Sequence, residues 1–401
     1  MQSRRAIVTL IMATIAFTVS FAVFSLISPF APQLQKLYNL NDFEISILIA
    51  LPSLLGSVLR VPAGALTDRF GGRKVMTGLL IFSCIPVLGM MSARTYLAFV
   101  CWGLLLGVVG TSFAVGAPYV SRWFPSERQG LVLGIFGVGN IGTAVTVNLA
   151  PRLAHLLGSW ESVFLLFAAL SLLTALVYYQ TAHDELLPSV TASMKERLAL
   201  LWREKPAWVL SLLYFVTFGG LVAFSLYLPK LLVDLHMLDK VEAGNYAAIF
   251  VCVGTLVRPF GGWLSDRVGA WSILLTTFGG LLLLACVLIF HLPLMYLNAC
   301  LICIAICLGV GSGAVFKLVP LYYAKDAGVV SGLVGAAGGL GGFFPPLIMG
   351  FCKEIWDTYI PGYILLALVT LCCLLLIFYR GQVFDEAERV RMAPLVDKNG
   401  P

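Results

Sequence analysis

Arg60, Arg258 and Lys317 each lie inside a long apolar stretch, where charge is costly. Of 26 Lys and Arg residues these three fall within such stretches. Of 20 Asp and Glu, none sits deep in one: Glu44, Glu161 and Glu242 mark one set of ends, Asp68 and Asp266 the other. A charge at the centre of a bilayer costs about 2.5–3.5 kcal/mol on insertion scales, and it normally faces a partner or an aqueous cavity. Three buried cations without a buried anion of the chain's own point to a mobile anion. Arg60 precedes Asp68 by eight residues and Arg258 precedes Asp266 by eight. At 1.5 Å per residue, each arginine lies ~12 Å from the end of its helix, near the middle of the hydrocarbon core. A guanidinium presents a planar fork of donors that suits a planar oxyanion in two-pronged contact, which an ammonium does not.

The elements that carry these residues follow from composition. The 401 residues are 60% hydrophobic and 11% charged, with mean hydropathy +0.95. A soluble domain is about a quarter charged, so lipid is the solvent here. Lipid satisfies no backbone polar group, which leaves helices as the spanning element. The apolar runs are too continuous for a barrel of alternating strands. Twelve spans of about 20 residues are expected near 6–30, 44–66, 74–92, 95–120, 130–155, 160–180, 208–232, 244–264, 272–292, 294–320, 328–350 and 359–380. The fold class is an all-α polytopic membrane protein with two six-helix halves. The division is 1–180, a polar linker 181–207, 208–380 and a tail 381–401.

Several functions are disfavoured. The ten cysteines lie mostly in apolar stretches without zinc or redox spacing. No nucleophile elbow, phosphate loop or metal-ligand spacing suggests an enzyme, and no cofactor is expected. The net charge of +6 is scattered through loops and is not a nucleic-acid footprint. Arg4-Arg5 before an apolar run reads as a first span with its N-terminus inside.

Orientation follows from loop charge. With the N-terminus inside, inner loops and tails hold 17 Lys and Arg and outer loops hold six: Lys36, Arg94, Arg152, Lys230, Lys240 and Lys353. Both termini are therefore expected in the cytoplasm. The halves repeat. The run from Arg60 through Gly64, Asp68 and Arg69 to Gly71 matches that from Arg258 through Gly262, Asp266 and Arg267 to Gly269 at an offset of 198. Leu106-Gly107-Val108, Pro118 and Gly130-Leu131-Val132 match Leu308-Gly309-Val310, Pro320 and Gly332-Leu333-Val334 at an offset of 202. Parallel repeats about an axis along the membrane normal place a transporter's site near the midplane between halves.

Two six-span halves, a long central loop and Asp68-Arg69-Phe70-Gly71-Gly72-Arg73-Lys74 after span two resemble the major facilitator superfamily. That resemblance implies that Asp68, Arg69 and Asp266 latch helices at the cytoplasmic side. Span five, with Gly134, Gly137, Gly139, Asn140 and Gly142, and span eleven, with Gly335, Gly338, Gly339, Gly341 and Gly342, carry small residues that let helices approach and slide. These segments resemble the signatures of the nitrate/nitrite porter family. Phe113, Trp123-Phe124-Pro125, Tyr214, Phe218, the two arginines and Gly311 through Lys317 to Pro320 extend the likeness over essentially the whole chain. The last string is more similar to the assimilatory branch than to the respiratory exchangers. The family implies that Arg60 and Arg258 clamp the anion and that Tyr214 donates a hydrogen bond. Phe113 and Phe218 would close over the ion's faces, and Asn140 would add a polar contact. Gly335 stands where respiratory members are expected to have serine, which leaves only backbone there.

The expected function is nitrate import across a bacterial inner membrane. Nitrite and cyanate are alternative cargoes, and nitrate/nitrite exchange is the alternative mode. The membrane potential opposes anion entry by about 2.3 kcal/mol per charge per 100 mV. A proton must enter too, or another anion must leave. His155, His183, His236 and His291 all look close to loops. Lys317, expected near the arginines, is the candidate proton-coupling group. The expected partners are the anion, protons and lipid, and the default state is a monomer.

Overall fold

In the computed structural model, residues 2–124, 129–183, 205–290, 292–323 and 327–379 are described. The linker 181–207 and the tail 381–401 fall largely or wholly outside them. All regular structure among the described residues is helical. In chain order the helices are α1 (Gln2–Phe24), α2 (Ile27–Leu37), α3 (Asp42–Val58), α4 (Arg60–Phe70), α5 (Gly72–Ser92), α6 (Tyr96–Leu106), α7 (Ser112–Ser121), α8 (Gln129–Gly137), α9 (Gly142–Leu157) and α10 (Trp160–Thr181). The C-terminal set is α11 (Lys205–His236), α12 (Lys240–Leu256), α13 (Arg258–Val268), α14 (Ala270–Leu288), α15 (Leu294–Tyr322), α16 (Ala327–Leu340), α17 (Phe344–Trp356) and α18 (Ile360–Phe378). Among the described residues, eleven apolar helical stretches are long enough to cross a membrane. The count becomes 12 when α3 and α4, bent by 46°, are taken as one span.

The breaks have local causes. Pro62 lacks the amide that would bond the Val58 carbonyl, and its ring crowds that carbonyl. The helix therefore resets at Leu59, and Arg60 opens the next segment. Pro259 does the same to the carbonyl of Thr255. The reset falls at Val257, and Arg258 opens α13. Spans four and five tighten at mid-length into 3₁₀ turns at Gly107–Thr111 and Val138–Ile141. Tight turns of this kind often mark hinges.

The repeat is visible in the backbone. Gly71 and Gly269, 198 residues apart, end α4 and α13 with φ of 88° and 92°. Residues with a Cβ rarely adopt this conformation. Asn41 and Asp239, also 198 apart, cap α3 and α12 through their side chains. We call the end bearing Asp68 and Asp266 the lower end and the opposite one the upper end. At the upper end the halves pack closely, α12 on α9 and α17 on α3. The lower segments α8 and α13 touch sparsely, near Gly134 and Pro259.

Candidate functional site

Both arginines stand at the first position of a half-helix at mid-depth. Each is one turn after a buried hydroxyl residue, Ser57 and Thr255, another pair 198 residues apart. The unpaired amides at a helix start carry partial positive charge. The broken spans thus aim two helix starts and two guanidiniums at one region, an arrangement that favours an anion.

Arg60 is 6% exposed. Its Nη1 donates to the Gly335 carbonyl on α16, so a side chain of one half holds the backbone of the other. Its Nε–H is buried without a hydrogen-bond partner. Arg258 is half-buried, and its Nη2 donates to the Tyr214 hydroxyl oxygen at 3.0 Å. That bond uses Tyr214 as an acceptor and leaves its own O–H as a donor. Both guanidinium carbons lie over the ring of Phe218, at 5.6 Å for Arg60 and 5.0 Å for Arg258. A ring face attracts cations through its quadrupole, so one buried phenylalanine holds both charges at one place. Tyr214 stacks on Phe218 at 5.0 Å with 6° between planes.

Glycines let this cluster form. A Cβ on Gly338 would stand 2.4 Å from Tyr214 Cδ1 and 2.6 Å from Cε1. A Cβ on Gly339 would stand 2.2 Å from Ser57 Oγ and 3.2 Å from Arg60 Cζ. Gly335 differs, because a Cβ there would meet only Arg60 Nη1, at an ordinary 3.6 Å. Beside the cluster, a small recess is lined by Ser53, Ser57, Arg60, Phe21, Phe24 and Val222 and by glycine backbone. Ser53 Oγ is a second buried group there without a partner.

Asn140 sits on the 3₁₀ turn of span five, 2% exposed. Its Nδ2 donates to Thr255 Oγ1 across the halves at 3.4 Å, and its Oδ1 has no partner. Phe113 is half-buried in an aromatic group with Phe17 and Phe136, each at 5.7 Å. It reaches the tyrosine only through Phe316, which lies 6.4 Å from Phe113 and 4.8 Å from Tyr214. Gly139 packs against Phe17, and a Cβ on Gly137 would meet nothing within 4 Å. Asp68 pairs with Arg122 at the lower end, and Arg69 is exposed there over the ring of Phe70.

Two expectations from the sequence need correction. Lys317 does not join the arginines: its side chain is 46% accessible and pairs with Asp266 at the lower end. Successive residues on a helix point about 100° apart, so Phe316 packs on Tyr214 while Lys317 turns away. Lys230, assigned to an outer loop, is completely buried. It lies two residues inside the expected span end at 232, and α11 continues beyond that to His236. Ser53, Ser57, Thr255 and Phe316 were missed altogether. The hydroxyl residues three positions before each arginine, matched by the repeat, were the available signal.

The model of the Major Facilitator Superfamily matches residues 13–346. Among curated relatives, the "Nitrite extrusion protein" of Bacillus subtilis (strain 168) is 37% identical, over 93% of this chain and 94% of its own. The "Probable nitrate/nitrite transporter NarK2" of Mycobacterium tuberculosis (strain ATCC 25618 / H37Rv) is 38% identical, over 95% and 98%. A solved bacterial homologue of the human lysosomal transporter Spinster, in an inward-facing and unoccupied conformation, superposes with a TM-score of 0.71. It covers 95% of this chain and 98% of its own at 18% identity, which speaks for the fold alone. With a site built from paired half-helix arginines and relatives matched nearly end to end, the chain belongs to the nitrate/nitrite porter family of the major facilitator superfamily.

Proposed function

We propose that this protein imports nitrate across a bacterial inner membrane by alternating access, with the lower end facing the cytoplasm. The orientation rests on the excess of Lys and Arg in loops at that end. The observation that carries the substrate reading is the convergence of Arg60 and Arg258, one from each half, on the ring of Phe218. Among the described residues neither arginine has a carboxylate partner. A planar monoanion would take the Nε–H of Arg60, the Arg258 fork and the Tyr214 O–H, with Asn140 close by. Phe218 and Phe113 would cover its faces. Gly137 and Gly139, with Gly335, Gly338 and Gly339, would let spans five and eleven move against their neighbours.

Two driving forces are compatible with an uphill anion. In the first, a proton enters with nitrate, and Lys317 beside Asp266 gains and loses it. In the second, nitrite leaves as nitrate enters. One observation favours the second: the only lysine on α15 lies away from the arginines, against Asp266.

Labelled-nitrate uptake into proteoliposomes tests these readings. Accumulation driven by an inward proton gradient supports symport. Stimulation only by internal nitrite supports exchange. Absence of nitrate flux in both conditions removes the substrate assignment.

A further inference from the structure

Lys230 is the most deeply buried charge in the described structure, at 0% exposure. It lies on α11, 16 residues past Tyr214, or ~24 Å up the same helix. Its Nζ donates to Gln35 Oε1 at 3.0 Å, Asp42 Oδ1 at 2.9 Å and Asp234 Oδ2 at 2.6 Å. All three ammonium protons are thus used. Gln35 and Asp42 belong to the N-terminal half, while Asp234 is on the lysine's own helix. The contacts continue outward. Gln35 Nε2 donates to the same Asp42 oxygen at 2.7 Å, and Tyr359 donates to Asp234. The Asp42 amide donates to Glu354 of the other half at 2.8 Å.

A second bridge crosses the halves on the other side of the same end. Arg152 Nη2 and Asn148 Nδ2 donate to Asn245 Oδ1 at 2.6 and 2.9 Å. Glycines bring the helices together at both crossings. A Cβ on Gly244 would stand 2.1 Å from the Val147 carbonyl oxygen, and one on Gly350 would stand 2.0 Å from Ser46 Oγ. At the lower end, the described ion pairs of Asp68 with Arg122 and of Asp266 with Lys317 each lie within one half.

We propose that Lys230 and Asp42 form the upper gate of the transport path, an ion pair between the halves that holds this end shut and must break each time the site opens upward. The inference uses the proposed function only to label the upper end as external. Opening would hydrate both partners together, so the gate can part without stranding a charge. Removing one partner is different, because only the closed state loses by it: without Asp42 it loses a charge-assisted bond, and without Lys230 it leaves Asp42 and Asp234 lacking their shared cation. Such variants should favour the state open at the top.

The test is hydrogen–deuterium exchange by mass spectrometry on the full chain in lipid nanodiscs, without nitrate. Asp42→Asn keeps shape and leaves the Lys230–Asp234 pair intact, so its fold is secure. It should speed exchange in peptides covering 26–45 and 344–360 by on the order of tenfold, the scale of one charge-assisted bond. Lys230→Met should do so by on the order of a hundredfold, as for a broken buried pair. In both variants peptides covering 60–72 and 258–270 should exchange more slowly, because rocking that opens the top closes the bottom. Unchanged exchange at both ends overturns the gate. So does faster exchange at both ends, which marks a merely structural ion pair. Because no nitrate is used, failure of the substrate reading leaves this result untouched.

Discussion

At the scale of residues, the site rests on donors that a lysine cannot reproduce. Arg60→Lys removes the buried Nε–H and the planar fork. It should raise the nitrate concentration for half-maximal uptake by about tenfold or more, the scale of a charge-assisted hydrogen bond. An unchanged half-saturation would remove Arg60 from the site. The glycines divide into two kinds. Gly338→Ala places a methyl 2.4 Å from Tyr214 Cδ1, which must displace the ring that Arg258 holds. Uptake should fall by on the order of tenfold with the folded yield kept. Gly335→Ala should transport normally, since its Cβ meets only Arg60 Nη1 at 3.6 Å. Equal effects of the two alanines would contradict this account. The arginines were legible in the sequence because type, depth and repeat agreed, whereas Tyr214 and Phe218 were singled out only through the family resemblance. The environments of Lys317 and Lys230 were not legible. Burial of a long side chain depends on which neighbouring helix it faces, and apolar runs do not encode that.

At the scale of elements, two prolines decide where the arginines sit. Pro62 interrupts the ladder after Val58, and the bend of 46° follows. Pro62→Ala restores an amide donor and should raise the thermal unfolding midpoint, because proline inside a helix costs about 3 kcal/mol. Nitrate uptake should fall at the same time, as a straightened span carries Arg60 off the Phe218 ring. A variant that is more stable and equally active would show the break to be incidental. The number and order of spans were readable from hydropathy. Their interruptions were less so: the 3₁₀ turns in spans four and five contain glycines that pack closely on neighbouring spans, Gly107 on Pro52 and Gly56, and Gly139 on Phe17, and composition alone does not predict those contacts.

At the scale of the whole molecule, the halves are held differently at their two ends. The Lys317–Asp266 pair is about half accessible. A pair of this kind contributes roughly 0–1 kcal/mol. Lys317→Gln should therefore change unfolding stability by less than about 1 kcal/mol. In exchange conditions it should keep nitrate uptake stimulated by internal nitrite. Loss of proton-driven accumulation in this variant, with exchange intact, would instead make Lys317 the coupling group. The parallel repeat was legible at this scale, since the offset of 198 also pairs the turn glycines and the helix caps.

The bond from Arg60 to the Gly335 carbonyl has a kinetic meaning. An anion that recruits this edge of the guanidinium must displace a backbone oxygen already there. Binding becomes a swap of acceptors, and its net free energy is only the difference between them. The carbonyl then stands ready to reclaim the arginine and eject the anion. Such a site trades grip for speed. Its residence time should be short and its affinity modest, which suits a carrier that must release its cargo on every cycle.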